Sequence, residues 1–221
     1  MTTDVRATRI AASATLRENP VIAVLRADDA PAYHRVIGAL LDCGIRSIEL
    51  TLTTPGTLDH LPSLIAEFGG DAEIGVGTIT RPEQARQAIA GGANFLVTPT
   101  VNQEVIALSL DNGTQIFPGG LTPTELFGAW EAGASAVKIF PAQSVGAQYG
   151  SHLRGPFPEL EFLPSGGVGI EDVPGWLQAG ALAVSLGGPL IGDSLRGGPL
   201  KELRARARHT LDAVSDTRNA R

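Results

Sequence analysis

Two ionisable residues are central to apolar runs of the sequence, where a charged side chain is unusual. Lys138 is the centre of Ala136-Val-Lys-Ile-Phe140, and Glu49 is central to Ser47-Ile-Glu-Leu-Thr-Leu52. Burial of an unpaired ammonium favours the neutral amine, which is the form that attacks a ketone. A carboxylate beside it can move the protons that imine formation requires. The pair therefore predicts covalent amine chemistry, with a structural ion pair as the plainer alternative.

Polar residues follow several of the apolar runs directly. Arg26 follows Val21–Leu25, Thr53 follows a later run, and Thr78 is the last residue of another. A guanidinium matches the two oxygens of a carboxylate or phosphate, so Arg26 indicates an anion-binding end of the same site. An ordinary surface salt bridge is the alternative for this arginine, and threonine is common at strand ends.

Two glycine-rich segments have the composition of phosphate-binding loops. They are Ser165-Gly166-Gly167 and Gly187-Gly188, and each precedes a segment that can form a helix. Backbone N–H groups at a helix N-terminus bind phosphate, and glycine lets the anion approach the backbone. Paired glycines are also common in ordinary turns. Their position after the last two apolar runs favours a phosphate site.

Eight short apolar runs are the elements that position these residues. Their starts are about 20 to 27 residues apart, a spacing typical of strand–helix units with parallel strands. The runs are Val21–Leu25, Ser47–Leu52, Glu73–Thr78, Asn94–Thr98, Thr114–Phe117, Ser135–Phe140, Leu160–Leu163 and Leu182–Leu186.

These units predict an α/β protein with a single (β/α)8 TIM barrel. We expect an N-terminal capping helix within residues 1–19, the barrel over 20–214 and a flexible C-terminal tail over 215–221. Strand alternation then points Lys138 and Glu49 into the barrel, whose active site lies at the carboxyl ends of the strands. An open doubly wound sheet is the alternative, but no G-x-G-x-x-G turn follows the first run.

The composition narrows the class of function. The 221 residues are 43% hydrophobic and 18% charged, and a net charge of −6 disfavours nucleic-acid or membrane-surface binding. No run reaches the ~18 apolar residues of a transmembrane helix, and the N-terminus lacks the apolar core of a secretory signal. The single cysteine, Cys43, is typical of a reducing compartment, so we expect a cytoplasmic protein. The four histidines have no metal-ligand spacing, and we expect no metal site.

The motifs together resemble the class I aldolases of 2-keto-3-deoxy-6-phosphogluconate (KDPG) and their phosphogalactonate relatives. The resemblance extends from about residue 20 to about residue 190. Its motifs are V-I-A-V-L-R (21–26), S-I-E-L-T-L (47–52), I-G-V-G-T (74–78), F-L-V-T-P (95–99), F-P-G (117–119), V-K-I-F-P-A (137–142), P-S-G-G-V (164–168) and L-G-G (186–188).

The resemblance implies a role for each candidate residue. Lys138 would form the imine and Glu49 would be the general acid and base. Substrate contacts would come from Arg26, Thr53, Thr78, Pro99 and Phe140, and phosphate contacts from Ser165, Gly166, Gly167, Gly187 and Gly188. The implied reaction cleaves a keto-deoxy sugar acid phosphate to pyruvate and glyceraldehyde 3-phosphate. No cofactor is needed beyond the covalent imine, and a homotrimer is implied.

The sequence departs from the family pattern at two positions. Thr53 replaces an arginine of typical phosphogluconate aldolases. The combination of Arg26 with a non-basic residue at position 53 resembles the phosphogalactonate branch. Pro189 replaces a serine after the second glycine pair, which removes a hydroxyl and an N–H from the phosphate loop. An aldolase for an unphosphorylated keto-deoxy acid is therefore an alternative. A phosphosugar isomerase or epimerase using Glu49 without an imine, and a non-catalytic sugar-phosphate-binding barrel, are the others.

Overall fold

The computed structural model describes residues 9–219 of the chain. Each of the eight apolar runs overlaps a strand, because their Val, Ile, Leu and Phe side chains pack on neighbouring elements. One additional strand, which consists of two glycines, follows Pro118. The strands are β1 Val21–Leu25, β2 Ser47–Thr51, β3 Glu73–Gly77, β4 Phe95–Val97, β5 Gln115–Phe117, β6 Gly119–Gly120, β7 Val137–Ile139, β8 Phe162–Pro164 and β9 Val184–Leu186.

The strands form two parallel sheets. The first has six strands in the order β5-β4-β3-β2-β1-β9, and the second has the order β6-β7-β8. Pro118 separates β5 from β6, while an isolated parallel bridge between Ser165 and Ser185 joins the ends of β8 and β9. The prediction of an α/β fold with parallel strands is therefore confirmed.

Helices connect the strands. The segment 123–131 begins at a capping box in which the backbone N–H of Thr122 donates to Glu125 Oε2 and the N–H of Glu125 donates to Thr122 Oγ1. The helices are α1 Ala14–Glu18, α2 Tyr33–Cys43, α3 Thr57–Phe68, α4 Pro82–Ala90, α5 Gln103–Asp111, α6 Pro123–Glu131, α7 Gln148–Arg154, α8 Val173–Gln178, α9 Gly188–Ile191 and α10 Leu200–Asn219.

Two hydrophobic clusters follow from strand alternation. The larger one lies between strands and helices and includes Ile48, Leu50, Val137 and Ile139. A smaller inner cluster collects side chains that point away from those helices. Its members are Ala12, Leu16, Ile22, Phe95, Val97, Phe117, Ala136, Leu163 and Ala183. The residues between the helix-facing ones therefore point to the inner side, as the pattern predicts.

The two ends of the chain differ from expectation. Before β1 the described helix is only Ala14–Glu18, and residues 1–8 of the predicted capping helix lie outside the described residues. Residues 215–219 of the predicted C-terminal tail continue α10. Thr217 is buried there and Arg218 donates to the carbonyls of Arg17 and Glu18, so tertiary contacts stabilise this end. Residues 220 and 221 are outside the described part.

No helix within residues 9–219 is long and apolar enough to cross a membrane.

Candidate active site

A cavity of about 450 Å³ lies at the carboxyl ends of the strands. Every predicted site residue except Thr53 lines it. The lining residues are Val24, Arg26, Glu49, Thr78, Pro99, Lys138, Phe140, Ser165, Gly166, Gly167, Val168, Ser185, Gly187, Gly188, Pro189, Ile191, Gly192, Leu195 and Arg196. Residues distant in sequence are thus brought together because parallel strands end at one edge of the fold.

Lys138 is held in the middle of β7. Its backbone pairs with Gly119 on one side and with Leu163 on the other, and only 6% of the residue is exposed. Its Nζ lies 5.0 Å from the centroid of the Phe140 ring, two residues along the same face. A buried amine on a paired strand has little freedom to leave the cavity, which suits a nucleophile that must meet a bound ketone.

Glu49 is at the centre of β2 and is 2% exposed. Burial raises the pKa of its carboxyl, and the nearby positive charges of Lys138 and Arg26 oppose part of that rise. The buried Oε2 atom has no hydrogen-bond partner among the described residues. The carboxyl therefore holds its proton to a higher pH than an exposed glutamate, and one oxygen can exchange protons with a bound molecule.

The Gly75-Val-Gly77-Thr78 segment makes room for this carboxylate. A Cβ atom on Gly77 would lie 1.8 Å from Oε1 of Glu49, and one on Gly75 would lie 2.2 Å from the Phe95 ring. Thr78 follows with a φ of 61°, a left-handed conformation that is uncommon for a residue other than glycine. This turn places Thr78 on the cavity wall. Gly75 and Gly77 are thus required because neighbouring side chains approach their backbone closely, and not because the chain must be flexible there.

The two predicted glycine loops also meet at this cavity. Gly166 and Gly167 have φ values of 86° and 76°, which favour glycine. A side chain on Gly166 would also meet the Phe140 ring at 2.9 Å. Gly187 and Gly188 lie where β9 passes into α9. Backbone groups of both loops are therefore available to a ligand.

Thr53 differs from the other predicted residues. It is exposed and does not line the cavity. Its hydroxyl donates to Thr51 Oγ1 at 3.1 Å, which turns the side chain back over the end of β2. The predicted contact of Thr53 with substrate has no support in this geometry.

Three cavity features were missed by the sequence reasoning. Ser185 is 2% exposed, and its buried hydroxyl has no partner among the described residues. Alternation between Val184 and Leu186 could have placed it inside. Arg196 belongs to a short 3-10 helix, Ser194–Arg196, beyond the last strand, and no periodic pattern pointed to it. The steric role of Gly77 depends on a neighbouring strand and has no local signal.

Among residues 9–219, no group of three or more His, Cys, Asp or Glu side chains is placed to hold a metal ion.

Known sequences resemble this chain over most of its length. The profile of the KDPG and KHG aldolase family matches residues 12–204. The chain is 37% identical over 175 residues to the 2-dehydro-3-deoxy-6-phosphogalactonate aldolase of Escherichia coli (strain K12), which covers 77% of this chain and 84% of the relative.

Solved structures share the fold. A structure described as native KDPGal has a TM-score of 0.85 and 31% identity, covering 90% of this chain and 96% of its own. The KDPG aldolase of Legionella pneumophila, captured with pyruvate as a covalent carbinolamine, has a TM-score of 0.80 and 25% identity over 95% of this chain and 99% of its own. Because the family profile matches most of its length, the chain belongs to the KDPG and KHG aldolase family.

Proposed function

We propose that the protein is a class I aldolase that reversibly cleaves a 2-keto-3-deoxy-6-phospho-aldonate to pyruvate and glyceraldehyde 3-phosphate. The observation that carries this proposal is the buried amine of Lys138 and the buried, partly unpartnered carboxyl of Glu49 in one cavity. The family and the pyruvate carbinolamine of the Legionella relative support it. No cofactor is required, because the imine with Lys138 is the electron sink.

The reaction begins with attack of Lys138 Nζ on the C2 ketone. Glu49 transfers protons so that the carbinolamine hydroxyl leaves as water and a protonated imine remains. Glu49, ionised after water has left, then takes the C4-hydroxyl proton. The C3–C4 bond breaks, and the electron pair of that bond moves into the iminium to form an enamine. Glyceraldehyde 3-phosphate leaves. Glu49 protonates C3 of the enamine, and water hydrolyses the resulting imine to pyruvate and free Lys138.

Other lining residues bind the substrate. Arg26 and Thr78 hold the carboxylate, while Pro99 and Phe140 form the walls around the pyruvate carbons. Ser165 and the glycines of the two loops receive the phosphate through hydroxyl and backbone N–H groups. The position of Gly166 and Gly167 on the cavity wall supports this role, because residues without a side chain let a ligand approach the backbone.

The galactonate epimer is our first candidate substrate, and KDPG is the second. A non-basic Thr53 and the 37% identity to the E. coli phosphogalactonate aldolase favour the galactonate epimer. Cleavage rates of the two epimers, measured by coupling pyruvate release to NADH oxidation, distinguish them.

We infer that the two sheets are parts of one closed (β/α)8 barrel over residues 20–214. The Ser165–Ser185 bridge between β8 and β9 and the short Pro118 break between β5 and β6 support closure. The N-terminal segment caps the inner side, which is supported by Ala12 and Leu16 in the inner cluster. We also propose that the protein is cytoplasmic and forms a homotrimer. Light scattering on the purified protein tests the trimer through its mass.

Trapping with borohydride tests the proposed chemistry. The protein is incubated with pyruvate, reduced with sodium borohydride and weighed intact by mass spectrometry, with Lys138→Ala treated in parallel. We expect a pyruvate-sized adduct that maps to Lys138 and is absent from the variant. An unmodified wild-type protein at millimolar pyruvate would contradict the imine mechanism and leave isomerisation by Glu49 as the hypothesis to test.

A further inference from the structure

Arg196 is a cation at the cavity that the proposed mechanism does not use. It ends the 3-10 helix Ser194–Arg196 and lines the same cavity as Gly187 and Gly188. The residue is exposed, and it takes part in none of the salt bridges between described residues. Its guanidinium is therefore available to an anion that enters the cavity.

The charges of the cavity are divided between two places. Lys138 and Arg26 both lie close enough to Glu49 for their charges to oppose the rise in the pKa of its carboxyl. Arg196 instead follows the glycine loop at the start of α9. Two separate cationic regions match a substrate that carries an anionic group at each end.

The glycine loop has few donors of its own for a phosphate. Pro189 has no N–H, and the N–H groups of Leu190 and Ile191 donate to the carbonyl of Gly187. The N–H of Gly192 likewise donates to Gly188 O at 2.8 Å. Residues 187–192 can thus offer a ligand at most the amides of the two glycines. A phosphate bound there requires a further donor, and a guanidinium supplies both charge and hydrogen bonds.

The segment that carries Arg196 is held by hydrogen bonds. Arg206 donates from Nε to Leu190 O at 2.7 Å and from Nη2 to Ile191 O at 2.9 Å, which anchors the end of α9. The backbone N–H of Arg196 donates to Asp193 O at 2.8 Å. The base of the Arg196 side chain is therefore fixed relative to the glycine loop.

We propose that Arg196 binds the terminal phosphate of the substrate and determines the preference for phosphorylated over unphosphorylated keto-deoxy acids. This inference rests on the proposed aldolase function and names its substrate class. Arg196 replaces the donors that Pro189 removes from the loop.

The test compares condensation of pyruvate with D-glyceraldehyde 3-phosphate and with D-glyceraldehyde in wild type and Arg196→Gln. We expect kcat/KM for the phosphorylated aldehyde to fall about tenfold to a hundredfold, the range for losing a hydrogen bond to a charged group. The value for D-glyceraldehyde should change less than about twofold, since that substrate has no phosphate. Arg208 is an exposed arginine that does not line the cavity, so Arg208→Gln is the matched control.

Two further readouts separate this inference from the aldolase proposal. Borohydride trapping of pyruvate should be equal in wild type and Arg196→Gln, and calorimetric binding of glycerol 3-phosphate should be lost in the variant. Equal losses for both aldehydes, or unchanged binding of glycerol 3-phosphate, would overturn the role of Arg196. A wild-type protein without an imine but with Arg196-dependent binding of glycerol 3-phosphate would overturn the aldolase proposal alone.

Discussion

Substitution of Gly77 by alanine should disable Glu49 without unfolding the protein. The added Cβ would lie 1.8 Å from Glu49 Oε1, and a contact of at least 3.0 Å requires that oxygen to move by about 1.2 Å. The adjoining cavity of about 450 Å³ gives the carboxylate space to move. A displacement of about 1 Å of a catalytic group reduces rate about a hundredfold. We therefore expect a comparable loss in Glu49-dependent proton transfer.

Exchange of the pyruvate methyl protons in deuterated water isolates this step, because it requires the enamine and its reprotonation. The rate is followed by proton NMR in Gly77→Ala and wild type, with circular dichroism to establish folding. Gly38→Ala is the control, since no atom lies within 4 Å of its added Cβ. A folded Gly77→Ala that exchanges within a few-fold of the wild-type rate would refute the assignment of proton transfer to Glu49 at this position.

Three other perturbations have defined outcomes. Gly75→Ala places a Cβ 2.2 Å from the Phe95 ring, so overpacking should lower the free energy of unfolding by about 1–3 kcal/mol; an unchanged urea midpoint would contradict this contact. Burial raises the pKa of the Glu49 carboxyl above its ordinary 4.5. The unfolded chain therefore releases this proton at a lower pH than the folded protein does, and wild-type stability falls as the pH rises from the unfolded to the folded pKa. Glu49→Gln should therefore gain stability relative to wild type in urea unfolding as the pH rises above 4.5, and a pH-independent difference would argue against a raised pKa. Arg218→Ala removes hydrogen bonds to the carbonyls that end α1 and should cost about 1 kcal/mol in thermal unfolding, whereas an unchanged midpoint would mean that these bonds contribute nothing to stability.

Local sequence determines the strands and their faces well in this chain. Runs of Val, Ile and Leu identify eight strands within a few residues, and alternation places Lys138 and Glu49 on the inner side. The strand Gly119–Gly120 was missed because two glycines carry no hydrophobic signal. The end of α10 was missed because its stability comes from contacts with residues near the other end of the chain, such as those of Arg218.

The site could be predicted only where its residues lie at strand ends. Arg26, Thr78, Phe140 and the glycine loops meet at one cavity because parallel strands share an edge. Thr53 also follows a strand, but a hydrogen bond within its own turn directs it elsewhere. Such a competition between local and ligand contacts has no signature in residue type or spacing.

The electrostatics of the cavity explain how an acidic chain can bind an acidic substrate. The net charge of −6 disfavours approach of an anion from a distance, but at physiological salt such forces are screened beyond about 8 Å. Within the cavity, Arg26 and Arg196 supply cationic guanidinium groups, while burial raises the pKa of the Glu49 carboxyl. Binding thus depends on a few nearby cations rather than on the overall field. Replacing one of them should affect the group that it faces and leave the remainder of the substrate contacts intact.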